Sequence, residues 1–203
     1  MTSLIDYDAG NLKSVEKALL YLGETVKITR DPRELLSSER VILPGVGSFG
    51  DAMEKLGHYE LIPVIKDIVA KGIPFFGICL GLQLLFEESD EAPGVSGLGL
   101  LPGRIRRFPK ESGLKIPQIG WNSLSLKHEG RLFRDVADGS FVYFVHSYYL
   151  ECEETDQFVK AFCDYGVTFG ASVEKENVFA CQFHPEKSSE TGLKILGNFL
   201  RIS

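Results

Sequence analysis

Cys79 lies between two apolar segments of the sequence, at the centre of a Gly-x-Cys-x-Gly pattern. A strand is predicted before it and a helix, ending near Glu87, after it. Such a sharp strand-to-helix turn, a nucleophile elbow, leaves no room for side chains at Gly77 and Gly81. It also places the sulfur at a helix N-terminus, which favours a thiolate. On this segment alone, a buried structural cysteine in a tight turn remains the alternative.

A histidine and a glutamate follow another predicted strand, 178–183, much later in the chain. His184 precedes Pro185 and is therefore expected to be extended. Side chains two residues apart in an extended backbone lie on the same side, so Glu186 can accept a hydrogen bond from one imidazole nitrogen. The other nitrogen is then free to face a thiol, and Cys79, His184 and Glu186 can act as nucleophile, base and base-orienting group. A capped loop with a surface salt bridge is the alternative for this segment by itself.

These motifs resemble those of the class I (triad) glutamine amidotransferases, whose glutaminase domains carry Gly-x-Cys-x-Gly-x-Gln and a later His-Pro-Glu. Both are unchanged here, at 77–83 and 184–186, and a glycine-rich loop at 43–50 adds to the resemblance. It implies hydrolysis of L-glutamine to glutamate and ammonia by the triad. It also implies oxyanion-hole donors at Leu80, Val46 and Gly47, and substrate-binding residues Gly45, Gln83, Ser147 and Tyr148. For Gln83, a partly buried helix residue is the alternative.

Further segments resemble, within that family, the glutaminase subunits of imidazole glycerol phosphate synthases. They are the segments 6–12, 117–122 and 144–149, and Lys187 directly after the triad glutamate; Asp8 departs from an expected glycine. The resemblance implies a heterodimer with a cyclase subunit of (β/α)8-barrel fold. Ammonia would pass to that subunit, which makes imidazole glycerol phosphate and an aminoimidazole carboxamide ribonucleotide in histidine biosynthesis. The implied partner-facing residues are Trp121, Asn122, Tyr143 and Lys187.

Other functions remain open at this stage. The chain could be the glutaminase subunit of a different synthase, a stand-alone cysteine hydrolase of γ-glutamyl bonds, or a catalytically inactive interaction subunit. Trp121 could also be an ordinary core residue. No cofactor and no metal are expected. The resemblance further implies allosteric activation, in which glutaminase activity stays low until the partner binds its nucleotide ligand.

Composition limits the class of protein. The 203 residues, 44% of them hydrophobic, predict one domain spanning 1–203. A net charge of -6 argues against nucleic-acid and anionic-membrane partners. The four cysteines show no zinc-type spacing, and no apolar run reaches the roughly 18 residues of a membrane span. We therefore expect a cytoplasmic protein in a reducing compartment.

The order of the elements explains how these residues could meet. Strands and helices alternate in the first half, which predicts an α/β fold with a doubly wound, mostly parallel sheet. The second half is predicted to be β-rich and includes one long strand at 141–150. The resemblance implies the same architecture, with a flavodoxin-like core. The glycine-rich loop, Cys79 and His184 each follow a strand, so they should lie together at the carboxyl edge of the sheet.

Overall fold

The computed structural model describes residues 1–8, 11–109, 113–127 and 129–202. Ala9 and Gly10, which belong to the segment 6–12 of the resemblance, lie outside these described residues. Strands and helices alternate up to the elbow as the sequence predicts, with two successive helices between the third and fourth strands. In chain order they are β1 (Thr2–Ile5), α1 (Leu12–Tyr21), β2 (Val26–Thr29), α2 (Pro32–Leu36), β3 (Arg40–Gly45), α3 (Phe49–His58), α4 (Leu61–Ala70), β4 (Phe75–Cys79) and α5 (Leu80–Gln83).

Most elements in the remainder of the described chain are strands. In chain order its elements are β5 (Glu88–Ser89), β6 (Arg104–Arg107), β7 (Gln118–Ser123), β8 (Ser125–Leu126), β9 (Phe141–His146), β10 (Tyr148–Glu151), β11 (Val159–Asp164), β12 (Thr168–Lys175), β13 (Val178–Cys181) and α6 (Ser189–Leu200). A 3₁₀ turn, Pro185–Lys187, stands between β13 and α6.

One large sheet organises the molecule, in the order β2-β1-β3-β4-β13-β12-β10-β6-β5, with β11 paired to β12 and β8. Strands β2, β1, β3, β4 and β13 run parallel. Strands β12, β10 and β6 continue the sheet with antiparallel pairing. Strands β7 and β9 form a separate antiparallel pair. The predicted parallel sheet with an added β-rich part is therefore confirmed.

Alternate residues of the parallel strands face two apolar layers. Val41 and Phe75 face the layer that contains α2, α3 and α4, while their neighbours Ile42 and Phe76 face the layer that contains α1 and α6. All four side chains are fully buried or nearly so. Covering on both faces explains why these strands are continuous apolar runs in the sequence.

The helix after Cys79 is shorter than predicted. It ends at Gln83 instead of near Glu87. A loop that returns over the elbow takes the next carbonyl groups: the N–H of Leu98 donates to the carbonyl oxygen of Leu84 at 2.8 Å. The apolar run after α5 is buried by this loop, so its hydrophobicity does not indicate a continued helix.

The predicted strand 141–150 is also wrong, because the chain changes sheets at Ser147. Strand β9, before this residue, pairs with β7, and β10, after it, pairs with β6 and β12. Strand β7 was not predicted. The break matters for the site, because it turns the backbone at Ser147 and Tyr148 toward the elbow.

Candidate active site

Cys79 lies in the turn between β4 and α5, with φ 56° and ψ -109°. L-residues adopt positive φ only at a cost, and such strain concentrates at functional sites. The flanking glycines are sterically required. A Cβ on Gly77 would lie 2.6 Å from the carbonyl oxygen of Gly81, and a Cβ on Gly81 would lie 2.0 Å from that of Leu43. The local backbone is therefore the predicted elbow.

His184 and Glu186 lie beside the elbow because β13 is the neighbour of β4. Cys181, the last residue of β13, is paired with Ile78, the residue before Cys79. The Nδ1 atom of His184 is 2.8 Å from Oε1 of Glu186, and both side chains are almost completely buried. The Nε2 atom of the ring is buried without a hydrogen-bond partner in the part of the chain that the structure describes. The structure thus brings together all three residues of the predicted triad.

The backbone that joins the imidazole to the carboxylate differs from the prediction. His184 itself is extended, with φ -97° and ψ 97°, but Pro185 begins a 3₁₀ turn. Ser188 holds this turn, because its hydroxyl donates to the carbonyl oxygen of His184 at 2.6 Å and accepts the N–H of Tyr143 at 2.9 Å. Glu186 therefore reaches the ring by a turn and not along a continued strand.

Two buried histidines of the site have opposite protonation. Burial lowers the pKa of His184, but the interactions of its ring with Cys79 and Glu186 outweigh burial and raise that pKa to about 9. Burial lowers the pKa of His146 to about 4, opposed by a hydrogen bond to the carbonyl group of Tyr148 and reinforced by nearby His184. At neutral pH, His184 is therefore charged and His146 is neutral.

The other three cysteines differ from Cys79 in their surroundings. All four are free thiols. Burial raises the pKa of Cys152 and of Cys163 to about 12 and also raises the pKa of Cys181, which keeps these thiols protonated. Among the described residues there is no cluster of three or more side chains suited to a metal ion. Over the same residues, no helix has the length and apolar character to cross a membrane.

The glycine-rich loop follows β3 and starts directly beside the elbow, since Gly45 pairs with Cys79 across β3 and β4. A Cβ on Gly45 would lie 2.8 Å both from the Cβ of Leu80 and from the hydroxyl oxygen of Tyr7. That hydroxyl is buried and has no hydrogen-bond partner among the described residues. Gly47 has φ +104°, which favours glycine. The backbone of the loop therefore lies so close to the elbow that there is no room for a side chain at Gly45.

A pocket of about 340 Å³ opens at the sulfur of Cys79, a size suited to a small ligand. Gly45 is not in its lining. Glu91 is in the lining, although no motif marks this residue within its Gly- and Pro-containing loop. The Glu91 carboxylate accepts the N–H of Phe49 at 2.8 Å, and burial raises its pKa. The predicted site residues that line the pocket are Val46, Gly47, Cys79, Leu80, Gln83, Ser147, Tyr148 and His184.

A larger cleft of about 650 Å³ lies elsewhere, lined in part by Lys127, Arg131 and Glu174. None of the described residues of its lining is a cysteine or a histidine, and Arg131 is already paired with Glu174 at 2.7 Å. Of these two pockets, the one at Cys79 is the candidate active site, because its lining contains both a nucleophile and a base.

Amide side chains surround the buried side of the elbow. The Nε2 atom of Gln83 donates both to the carbonyl oxygen of Tyr148 and to Oε1 of Gln182, each at 3.0 Å. Gln83 is buried and lines the pocket, and its role in binding substrate stays a prediction. Gln182, which is not among the predicted site residues, lies with its Nε2 3.7 Å from Sγ of Cys79.

Three of the four predicted partner-facing residues form one surface group. Trp121 is 50% exposed, which excludes an ordinary core position. Its ring meets that of Tyr143 edge-on, with centroids 6.2 Å apart, and Nζ of Lys187 lies 6.0 Å from the Tyr143 centroid. Asn122 is not in this group, because alternate residues of a strand face opposite sides and its side chain donates to the carbonyl oxygen of Asp164.

Comparison with known proteins agrees with this geometry. The family model "Glutamine amidotransferase class-I" matches residues 3–202. The chain is 51% identical to "Imidazole glycerol phosphate synthase subunit HisH" of Bacillus cereus, over 98% of this chain and 93% of that relative. It is also 51% identical to the protein of the same name from Caldanaerobacter subterraneus, over 98% of this chain and 97% of that relative.

Solved structures share the fold at low sequence identity. "Structure of PurLQS from Thermotoga maritima" superposes with a TM-score of 0.74 at 21% identity, covering 98% of this chain and 96% of that one. "Crystal structure of glutamine amidotransferase" superposes with a TM-score of 0.73 at 20% identity, covering 97% of this chain and 98% of that one.

Proposed function

Because this chain belongs to the class-I glutamine amidotransferase family, we propose that it is the glutaminase subunit of an imidazole glycerol phosphate synthase. It hydrolyses L-glutamine to glutamate and ammonia. One observation carries the chemistry: a pocket large enough for an amino acid, with Cys79 and His184 in its lining and Glu186 bonded to the imidazole.

The first half-reaction forms a thioester. The Cys79 thiolate attacks the side-chain carbonyl carbon of glutamine, and a tetrahedral oxyanion forms. Backbone N–H groups of Leu80 and of the loop at Val46 and Gly47 bind that oxyanion, and losing one such donor costs about 3–4 kcal/mol. His184, protonated because its pKa is raised to about 9, gives its Nε2 proton to the departing nitrogen. The carbon–nitrogen bond breaks and ammonia leaves.

The second half-reaction releases glutamate. His184 is now neutral and takes a proton from a water molecule, which attacks the thioester carbon. The carbon–sulfur bond breaks, glutamate leaves, and the thiolate and the imidazolium are restored. Glu186 is bonded to Nδ1 at 2.8 Å, so it holds the ring orientation and stabilises the charged ring throughout the cycle.

The pocket offers groups for the ends of the substrate as well. Glu91 is the only carboxylate in its lining among the described residues, so it is suited to the α-ammonium group of glutamine. Gln83 has its amide nitrogen committed to Tyr148 and Gln182, which leaves its oxygen to accept from the substrate. Backbone at Ser147 and Tyr148, where the chain changes sheets, binds the other polar end. A role for Gly45 in binding substrate stays a prediction.

Ammonia needs an acceptor in a second active site, because free ammonia would otherwise be lost to water. The relatives carry the word subunit in their names, and this chain exposes Trp121 beside Tyr143 and Lys187. We assign this face to a cyclase subunit of (β/α)8-barrel fold, which uses the ammonia to make imidazole glycerol phosphate.

Replacing the nucleophile tests the proposal. Cys79→Ala should reduce glutamine hydrolysis at least about a thousandfold, while the assembled synthase should still form product from ammonium salt at alkaline pH. The matched control is Cys152→Ala, which removes a thiol outside the pocket and should leave hydrolysis unchanged. Glutamine-dependent turnover that survives in Cys79→Ala would overturn the assignment, and full activity without any partner would favour the stand-alone hydrolase.

A further inference from the structure

Gln182 lies on the side of Cys79 that the pocket does not reach. It follows β13 directly, and its side chain has no exposed surface. Its backbone N–H donates to the carbonyl oxygen of Ala171 at 2.9 Å, which anchors it to β12. Its side-chain amide spans from Gln83 to the sulfur, with Oε1 3.0 Å from Nε2 of Gln83 and Nε2 3.7 Å from Sγ of Cys79.

The orientation of this amide follows from its neighbours. The carbonyl oxygen of Tyr148 can only accept, so Gln83 must turn its Nε2 toward it. The second hydrogen on that nitrogen then reaches Gln182, which must present its oxygen to Gln83. The Nε2 group of Gln182 is left facing the sulfur of Cys79. A reversed amide would place two NH₂ groups face to face, with a buried donor unpaired.

We propose that Gln182 is a positioning residue for the nucleophile, donating a hydrogen bond from Nε2–H to the Cys79 thiolate. The inference rests on the proposed function in taking Cys79 as the nucleophile. A hydrogen bond to a charged acceptor is markedly stronger than one to a neutral acceptor. The contact therefore favours the thiolate over the thiol and holds the sulfur between Gln182 and His184.

The pH dependence of alkylation measures this contact without glutamine. The full chain is treated with iodoacetamide across a pH series, and the rate at Cys79 is followed by peptide mass spectrometry. Gln182→Met removes the donor at similar volume and should lower the alkylation rate at neutral pH about tenfold. The half-maximal rate should move to higher pH, while the plateau at high pH should stay the same.

A second variant separates donation to sulfur from support of Gln83. Gln182→Glu keeps an oxygen that accepts from Gln83 but puts a carboxylate, ionised at alkaline pH, against the sulfur. We expect its profile to shift at least as far as that of Gln182→Met. A wild-type profile in Gln182→Glu, with or without a shift in Gln182→Met, would overturn the proposal, because Gln182 would then serve only to orient Gln83.

The matched control is Asn198→Leu, which removes another buried amide that makes two hydrogen bonds, to the carbonyl oxygens of Leu132 and Arg134. Its alkylation profile should equal that of the wild type. An equal shift in Asn198→Leu would also overturn the proposal, since general loosening of the fold would explain it. The assay is independent of glutaminase activity, so a shifted profile in a chain that does not hydrolyse glutamine would contradict the proposed function alone.

Discussion

At the level of single residues, the two buried histidines make stability depend on pH in two ranges. The pKa of His184 is raised from 6.5 to about 9, so its stabilising contribution is complete below pH 6.5 and is lost as the pH rises through 9. The pKa of His146 is lowered from 6.5 to about 4, so its contribution is complete above pH 6.5 and is lost as the pH falls toward 4. Urea unfolding should show that the free energy of unfolding falls by an amount on the order of 1–3 kcal/mol between pH 6.5 and 9, and by a similar amount between pH 6.5 and 4.

The substitution Glu186→Gln tests whether His184 causes the loss of stability at alkaline pH. It removes a carboxylate that helps to raise the pKa of His184, so less stability should be lost between pH 6.5 and 9 than in the wild type. The loss of stability below pH 6.5 should not change, because His146 is hydrogen-bonded to Tyr148 and Gln118 and not to Glu186. If Glu186→Gln loses as much stability between pH 6.5 and 9 as the wild type, the assignment of this loss to the His184–Glu186 pair is contradicted.

The residues of the triad could be predicted because local sequence determines them. Glycines two residues either side of Cys79 and a proline after His184 are backbone requirements that are visible in the sequence itself. Glu91 and Gln182 could not be predicted. Glu91 reaches the pocket through a loop that contacts the start of α3, and Gln182 reaches the sulfur through the pairing of β13 with β4.

At the level of elements, the elbow tolerates no added volume at its second glycine. Gly81→Ala would place a Cβ 2.0 Å from the carbonyl oxygen of Leu43, in the backbone of β3. We expect it to lower the free energy of unfolding by about 3 kcal/mol or more and to abolish activity. Gly197→Ala is the matched control, because a Cβ added there meets no described atom within 4 Å other than its chain neighbours and the backbone of its own helix, α6. It should raise stability by about 0.5–1 kcal/mol, and equal effects of the two changes would contradict the steric argument.

The turn after β1 shows how the departure at Asp8 is accommodated. Asp8 has φ 58°, which explains why glycine is expected there, and its N–H donates to Oδ1 of Asp6 at 3.1 Å. Its carboxylate contacts Arg30 and Tyr59, and its carbonyl oxygen accepts from Lys55. Asp8→Ala should lower Tm by several degrees more than Asp8→Gly, because alanine loses the carboxylate and keeps the strain. Thermal melts in which glycine is the more harmful change would contradict this reading.

Helices and strands could be predicted where local sequence signals determine them. They could not be predicted where contacts with distant parts of the chain determine their ends. Helices α1, α3, α4 and α6 show apolar residues at helical spacing, while α2 is indicated by Asp31 as N-cap and Pro32 at its first position. All five helices form. The helix after Cys79 stops early because the loop at Leu98 takes its carbonyl groups. The strand at 141–150 breaks at Ser147 because its two halves find partners in different sheets, a choice that alternation of side chains cannot encode.

At the level of the whole molecule, one strand joins the pocket to the surface group of Trp121, Tyr143 and Lys187. Strand β9 carries Tyr143 on the outside and ends at His146 in the pocket lining. Trp121→Ala should weaken binding of the cyclase subunit at least about tenfold by calorimetry and lower the stimulation of glutaminase activity by that subunit. The control is Tyr21→Ala, an aromatic residue of α1 that is 78% exposed. Equal binding by the two variants would remove Trp121 from the interface.

The pairing of β4 with β13 also has a consequence for biosynthesis of the protein. Gln182 and Cys79 touch although 103 residues separate them in the chain. On the ribosome, β4 therefore emerges long before the strand that covers its edge, and Phe75 and Phe76 of that edge stay open to unwanted pairing. A nascent chain at this stage carries the thiol but no base, so it cannot turn over glutamine. The pairing of β13 with β4 therefore completes the triad and covers the exposed edge of β4 in one step.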